Sequence, residues 1–297
     1  MIVIGCCGTG GLKFEDYVRK FDAIELQETF YRRVRPATLI RRREMAGESF
    51  RFTMKAFQGI THPASSPTWR RSGWRPEPPE RYGLLSPTKE NKGLWQEILE
   101  NAEALSAEAI VVQLPPSFSR TEKNFENMKE FFTELPAKVK VAVEFRHGSW
   151  FVDEVGRWLD SRGILQALDP FTQPRISGFE TVYFRLHGLA KGYRYQYTAK
   201  ELGRLKGMIK DGYVMFNNLA MIEDCMRFRD VLGGGSGELP PFRERLRSFK
   251  LSFPIERDVL VKRYGYIRVG KKTLEEVLAH VDVIESQEVL MKLVEEG

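Results

Sequence analysis

The sequence predicts an α/β fold, a TIM-type (β/α)8 barrel, on three observations. Eight short apolar runs recur along the 297 residues, most are joined by segments of helical periodicity, and nearly every run ends in a polar side chain. Repeated strand–helix alternation is the signature of this barrel, whose functional sites lie at the carboxyl ends of its strands. The runs read IVIGC from Ile2, AIELQ from Ala23, FRFTMK from Phe50, AIVVQ from Ala109, VAVEFR from Val141, ILQALD from Ile164, TVYFRLH from Thr181 and YVMFN from Tyr213.

The connecting helices follow from spacing. Leu94, Trp95, Ile98, Leu99, Ala102 and Leu105 form an apolar stripe after the third run. Phe125, Met128, Phe131, Phe132 and Leu135 do so after the fourth, with Thr121 as N-cap. Thr198 with Glu201 reads as a capping box after the seventh. Two stretches break the pattern. Phe57 to Pro87 is rich in Pro, Ser, Arg and Trp and lacks periodicity, so it is read as a functional or disordered loop. Pro170 to Gly178 is too short and too rich in Pro and Gly for a full helix, so the sixth helix is expected to be reduced or missing.

The Gly-rich run from Gly233 to Gly237, followed by Pro240 and Pro241, reads as a linker over 233–241. It separates a barrel domain over 1–232 from a small α+β C-terminal extension over 242–297. There a hairpin is expected from Val259 to Val269, turning near Gly265, then two short helices, the first capped by Thr273 with Glu276.

Bulk properties narrow the function classes. A net charge of +6 is a mild basic bias that favours anionic ligands slightly. Three cysteines at Cys6, Cys7 and Cys225 are too few and too badly spaced for a disulfide framework or a zinc site, which points to a reducing compartment. The first residues read as a strand and not as a signal peptide, and no apolar stretch approaches the ~18 residues of a membrane span. A soluble, cytoplasmic protein without a membrane partner is expected.

Alternate side chains of a strand face opposite ways, so each run can be phased. Helix-facing positions must be apolar, which leaves Glu25 and Gln27, Thr53 and Lys55, Val111 and Gln113, Ala142, Glu144 and Arg146, Tyr183, Arg185 and His187, and Met215 and Asn217 pointing inward. Six strands thus send polar groups into one mouth. Burying unpaired ions costs several kcal/mol each, so a barrel does not gather them for stability alone. Part of the set is expected to be a satisfied network pairing Glu25 and Glu144 with Lys55, Arg146 and Arg185.

Paired Glu and His allow acid–base work near neutral pH. Glu144 is the candidate base and His147 or His187 the candidate acid; Lys55 is a further catalytic candidate, able to form a Schiff base if desolvated. Glu25, Gln27, Tyr31, His62, Gln113, Arg146, Arg185 and Asn217 are candidate substrate-binding residues, and the cations among them suit a small anion such as phosphate or carboxylate. No organic-cofactor motif is present. A divalent metal held among Glu25, Glu144, His147, His187 and Asp169 is the rival reading, though no pair has HExxH-type spacing and two arginines would repel a cation. Cys6 as a nucleophile is weighed against an inert buried thiol, which is the stronger reading. Trp69, Arg70, Arg71, Trp74 and Arg75, like Tyr193, Arg194, Tyr195 and Tyr197, interleave aromatic and basic groups, which suits sugars, nucleobases or single strands unless the loops simply pack on themselves.

GCCG at Gly5, IELQETFYR at Ile24, FTMKAFQGITHP at Phe52, QLPPSF at Gln113, VEFRHGSW at Val143, YFRLHG at Tyr183 and MFNN at Met215 together resemble the YecE-like family, domain-of-unknown-function family 72. The resemblance runs from about Ile2 to about Cys225 and implies a TIM-type barrel, without implying an activity. Cys7, Thr9-Gly10, Gln27 and Asp224-Cys225 depart from the family pattern. The functional expectation is a hydrolase or lyase using acid–base chemistry on a small anionic, phosphorylated, nucleotide- or sugar-like substrate. Nucleic-acid binding through the basic aromatic loops and the tail, and a ligand-binding barrel without catalysis, are the alternatives.

Overall fold

A computed structural model gives the protein's structure over residues 1–296. The chain forms two compact units, one of Met1–Leu186 with Ile209–Asn217, the other of His187–Met208 with the residues from Asn218 onward.

The first unit carries the barrel. Its strands are β1 (Ile2–Cys7), β2 (Ala23–Leu26), β3 (Arg51–Lys55), β4 (Ala107–Gln113), β5 (Lys140–Glu144), β6 (Leu165–Leu168), β7 (Thr181–Leu186) and β8 (Asp211–Phe216). They pair in parallel in sequence order, and β8 closes onto β1. Between them lie α1 (Phe14–Val18), α2 (Glu28–Tyr31), α3 (Pro36–Ala46), α4 (Lys89–Leu105), α5 (Glu122–Phe131) and α6 (Asp153–Arg162). Thr88 caps α4 and Thr121 caps α5, each accepting a backbone N–H one turn on. The stripe of Leu94, Trp95, Ile98, Ala102 and Leu105 is buried as its spacing predicts.

No helix joins β6 to β7, as expected, and two features replace it. The buried Gln166 amide donates to Pro174 O at 2.9 Å and accepts from Ile176 N at 2.9 Å, while Asp160 accepts from Gly178 N at 2.8 Å. Gly156 on α6 lets this segment lie flush, since a Cβ there would meet Ile176 O at 2.0 Å. The loop from Phe57 to Pro87 is ordered. Gly83 N, Leu84 N and Leu85 N bond back to the carbonyls of Gly59, Thr61 and Ile60, and the buried Asn91 ties down Gly83 and Ser86. Leu84 and Leu85 have φ of +54° and +50°, strained values for leucine, at the point where their N–H groups bond to Thr61 O and Ile60 O.

The second unit contains α7 (Ala199–Met208), α8 (Met221–Leu232), α9 (Phe242–Leu246), β9 (Ile255–Glu256), α10 (Arg257–Tyr264), β10 (Arg268–Val269), β11 (Lys272–Thr273), α11 (Leu274–Val277), β12 (Val283–Ile284) and α12 (Gln287–Glu296). Leu246, Leu260, Leu274, Leu278, Ile284 and Leu290 lie in its core. The capping boxes at Thr198–Glu201 and Thr273–Glu276 form. The expected hairpin at 259–269 does not. Val259, Val261 and Tyr264 suit a strand, yet burial of Leu260 and Val261 is met by helix α10, and the hairpin turns instead at Gly270 between β10 and β11. The Gly-rich segment is tied to α8, through Gly235 N to Asp230 O, Gly237 N to Asp230 Oδ2 and Arg227 Nε to Gly237 O.

Candidate active site at the barrel mouth

The barrel interior begins apolar, with Val3, Ala23, Ala109, Val111, Ala142, Leu165, Ala167, Tyr213 and Met215 packed together. Toward the carboxyl ends it turns polar. Tyr183 OH lies 2.7 Å from Thr53 Oγ1 and donates to Glu25 Oε2 at 2.9 Å. Above them sits Arg185, fully buried. Its Nε and one terminal nitrogen grip Glu25 at 3.0 and 2.8 Å, its other terminal nitrogen reaches Glu144 Oε2 at 2.5 Å, and Cys7 Sγ lies 3.7 Å away. Glu144 also meets Arg146 at 2.7 Å. Arg146 is 23 % exposed, so it links the buried network to solvent.

These pairings set the protonation states. Burial opposes ionisation of Glu25, but Arg185, then Lys55 and the Gln27 amide, outweigh it and hold the carboxyl below its usual range. Burial and the neighbouring Glu25 raise Cys7 and Tyr183 well above their ordinary values, so both stay neutral.

Lys55 is the exception. At the end of β3 it is buried, and among the described residues its ammonium makes one hydrogen bond, to Gln113 Oε1 at 3.0 Å, with no carboxylate within ion-pair distance. It lies 3.8 Å over the ring of Phe30. Burial, then Arg185, lower its pKa from 10.5 to about 7, with Arg146 adding to the effect and Glu144 and Glu25 resisting it. The local fold fixes this geometry. Thr29 Oγ1 bonds to Lys55 O and to Leu26 O, which places the single turn α2 and its Phe30 over the end of β3.

His62, in the ordered loop, packs edge-on against Phe30 at 5.0 Å, with Nδ1 2.7 Å from Thr61 Oγ1. Burial, then Lys55 and Arg146, push its pKa down to about 3. The folded state therefore resists a proton that the unfolded chain accepts below about pH 6.5, and stability falls as pH drops from 6.5 toward 3. His62→Asn should keep a partner for Thr61 yet flatten this acid limb. Urea unfolding at pH 7 and pH 4 should show about 3 kcal/mol less pH-induced loss in the variant than in the wild type; equal losses would contradict the assignment.

The other expected residues divide. Glu25, Gln27, Lys55, Gln113, Glu144, Arg146 and Arg185 come together as one hydrogen-bonded group. Tyr31 is partly buried beside Phe30, with Arg71 over its ring at 5.5 Å. His147 accepts from Ser149 N at 3.2 Å through Nδ1, which fixes the ring as the cap of a short turn. Asn217 follows β8, its backbone N donating to Leu186 O. His187 belongs to the second unit, its ring 5.6 Å from Tyr193. Asp169 Oδ1 accepts from Phe171 N in a tight turn. Among the described residues no group of three or more His, Cys, Asp or Glu is placed to hold a metal ion; the position between Glu25 and Glu144 belongs to the Arg185 guanidinium.

Sequence reasoning missed Cys7 and Phe30, and it placed Thr53 and Tyr183 inward without giving them a role. Cys7, not Cys6, packs with the interior residues, and phasing β1 from Val3 would have found it. The stacking surface expected around Trp69 is turned to packing. Trp69, Trp74 and Phe57 cluster at 5.4–6.0 Å, and Trp69 Nε1 donates to Pro63 O. In the second unit Tyr197 is buried, and Arg194 donates to the carbonyls of Val261 and Lys262 at the end of α10. No helix among the described residues is long and apolar enough to cross a membrane.

The fold is shared with solved structures. A DUF72 family protein from Thermotoga maritima superposes with TM-score 0.59 at 24% identity, over 78% of this chain and 99% of that one. A DUF72 family protein from Enterococcus faecalis gives TM-score 0.59 at 20% identity, over 78% and 98%. A structure named SacUVDE gives 0.51 at 9% identity, over 78% and 96%. No curated protein matches the chain. The model of the family described as protein of unknown function DUF72 matches residues 8–244, and with the barrel and its motif residues in place the chain belongs to that family.

Proposed function

We propose that the barrel mouth is the active site of an enzyme, a hydrolase or lyase, that takes a small anionic substrate and exchanges a proton with it through Lys55. One observation carries the reading: a buried amine without an ion-pair partner, titrating near neutrality, beside the partly exposed guanidinium of Arg146. Glu25 and Glu144 are balanced by Arg185 and Arg146, so the first two pairs are neutral as a group. Lys55 is the fifth charge. An anion entering beside it favours the ammonium, so binding is coupled to uptake of one proton. Glu144, engaged by two guanidinium groups, orients Arg146 and Arg185, and the proton-carrying role first given to it passes to Lys55. Groups with pKa near the working pH are the effective proton carriers.

Thermal melting with inorganic phosphate, glycolate and malonate tests this. A ligand at 100 times its Kd stabilises by about 2.7 kcal/mol. At least one anion is expected to raise Tm, more at pH 6 than at pH 9, and the shift should vanish in Arg146→Ala. Absence of any shift, or a shift indifferent to pH, would contradict the proposal.

A further inference from the structure

We infer that Lys55 is a nucleophile that forms a covalent imine with an anionic aldehyde or ketone. This rests on the reading of the mouth as an anion site and names the substrate class within it.

The geometry is that of an amine kept available. Lys55 ends β3 in the barrel mouth, its backbone carbonyl fixed by Thr29 Oγ1 at 2.7 Å and its stem buried. The nitrogen bonds to a neutral amide oxygen, Gln113 Oε1, and its ammonium otherwise faces an aromatic ring. Both nearby carboxylates, which would lock a lysine as a structural ammonium, are taken by Arg185 and Arg146. Desolvation beside other cations is a standard way of giving a lysine a free lone pair at neutral pH.

The step balances without a further reactant. The Nζ lone pair attacks the carbonyl carbon, a C–N bond forms and the carbonyl π pair moves to oxygen. The two amine protons pass to that oxygen, the C–O bond breaks, and one water leaves as the C=N bond forms. No oxidation or reduction occurs. Arg146 is placed to hold the substrate's charge, and an imine next to a carboxylate or phosphate-bearing carbon is an electron sink for the cleavage of an adjacent bond.

Trapping is the test. The full chain is incubated at pH 7 with glyoxylate or pyruvate and sodium cyanoborohydride, and modified lysines are located by peptide mass mapping. Glycolate, which lacks the carbonyl, serves as competitor and as the ligand in a parallel melt. Lys55 should be alkylated at least about tenfold faster than the exposed Lys89, Lys123 and Lys200, which lie outside the desolvated mouth. The preference should shrink toward pH 10, glycolate should suppress it, and a folded Lys55→Arg variant should lose that peptide's label alone. A glycolate-dependent Tm shift with no preferential Lys55 adduct overturns the imine and leaves the anion site standing. Preferential labelling that glycolate does not suppress keeps the imine and removes the anion site. Neither shift nor preferential adduct overturns both.

Discussion

Replacing Arg185 by Met is expected to destabilise the barrel by about 3–5 kcal/mol, the largest loss of any single change at the mouth. The side chain fits the space, so packing is not the main cause. Arg185 is fully buried and bonds to both Glu25 and Glu144, each itself fully buried. Without it two carboxylates face one interior, with Arg146 left to answer Glu144 and with Tyr183, Gln27 and Lys55 left beside Glu25. Both carboxyl groups then shift toward the protonated form. Their folded pKa values rise, so the deficit should narrow as pH falls from 7.5 to 5, where protonation removes the repulsion. Urea unfolding at those two pH values measures both parts. A loss below about 1 kcal/mol, or one that grows on acidification, would show that Arg185 does not carry the network.

Lys55→Met should act in the opposite direction and stabilise the protein at neutral pH by about 3 kcal/mol. The sign follows from the depressed pKa. The folded value of about 7 lies below the unfolded 10.5, so between these limits the unfolded chain binds more protons. Wild-type stability therefore rises as pH climbs from about 7 toward 10.5, and at pH 7 the buried amine is a penalty of up to about 5 kcal/mol. Methionine fills a similar volume without that penalty, while the lost hydrogen bond to Gln113 returns about 1 kcal/mol. The variant should show a flat stability profile over this range and should no longer answer to small anions. Gain of stability with loss of binding is the pattern of a functional group held against the fold's own preference. A destabilised Lys55→Met with an unchanged pH profile would instead make Lys55 a structural residue.

Much of this was legible in the chain. Two-residue phasing placed Glu25, Lys55, Gln113, Glu144 and Arg185 inward because their neighbours on each strand are apolar and must face the helices. The missing sixth helix was legible as well, since Pro and Gly over 170–178 leave no room for one. Partnering was not. Alternation says that Glu144 points into the mouth, but not that two guanidinium groups meet it there, nor that Lys55 is left without a carboxylate. Those are facts of three-dimensional register among strands far apart in sequence. The motifs also mix roles that a string cannot separate. In VEFRHGSW, Glu144 and Arg146 face the site, while Phe145 and Trp150 stack at 5.1 Å, and Trp150 bonds to the Phe118 carbonyl of QLPPSF. The tryptophan-rich loop misled for a related reason: interleaved aromatic and basic residues look the same whether the rings face a ligand or, as with Trp69 and Trp74, one another.

Proton exchange and imine formation both require a free Lys55 amine inside the barrel at neutral pH. NMR titration of the lysine side-chain Cε resonances, with the Lys55 signal assigned by its absence in Lys55→Met, tests it most directly. One lysine is expected to titrate with a midpoint at about 7 that moves upward when a small anion binds. A Lys55 midpoint near the ordinary 10.5 would mean a permanent ammonium, and would contradict both the proton-exchange site and the imine.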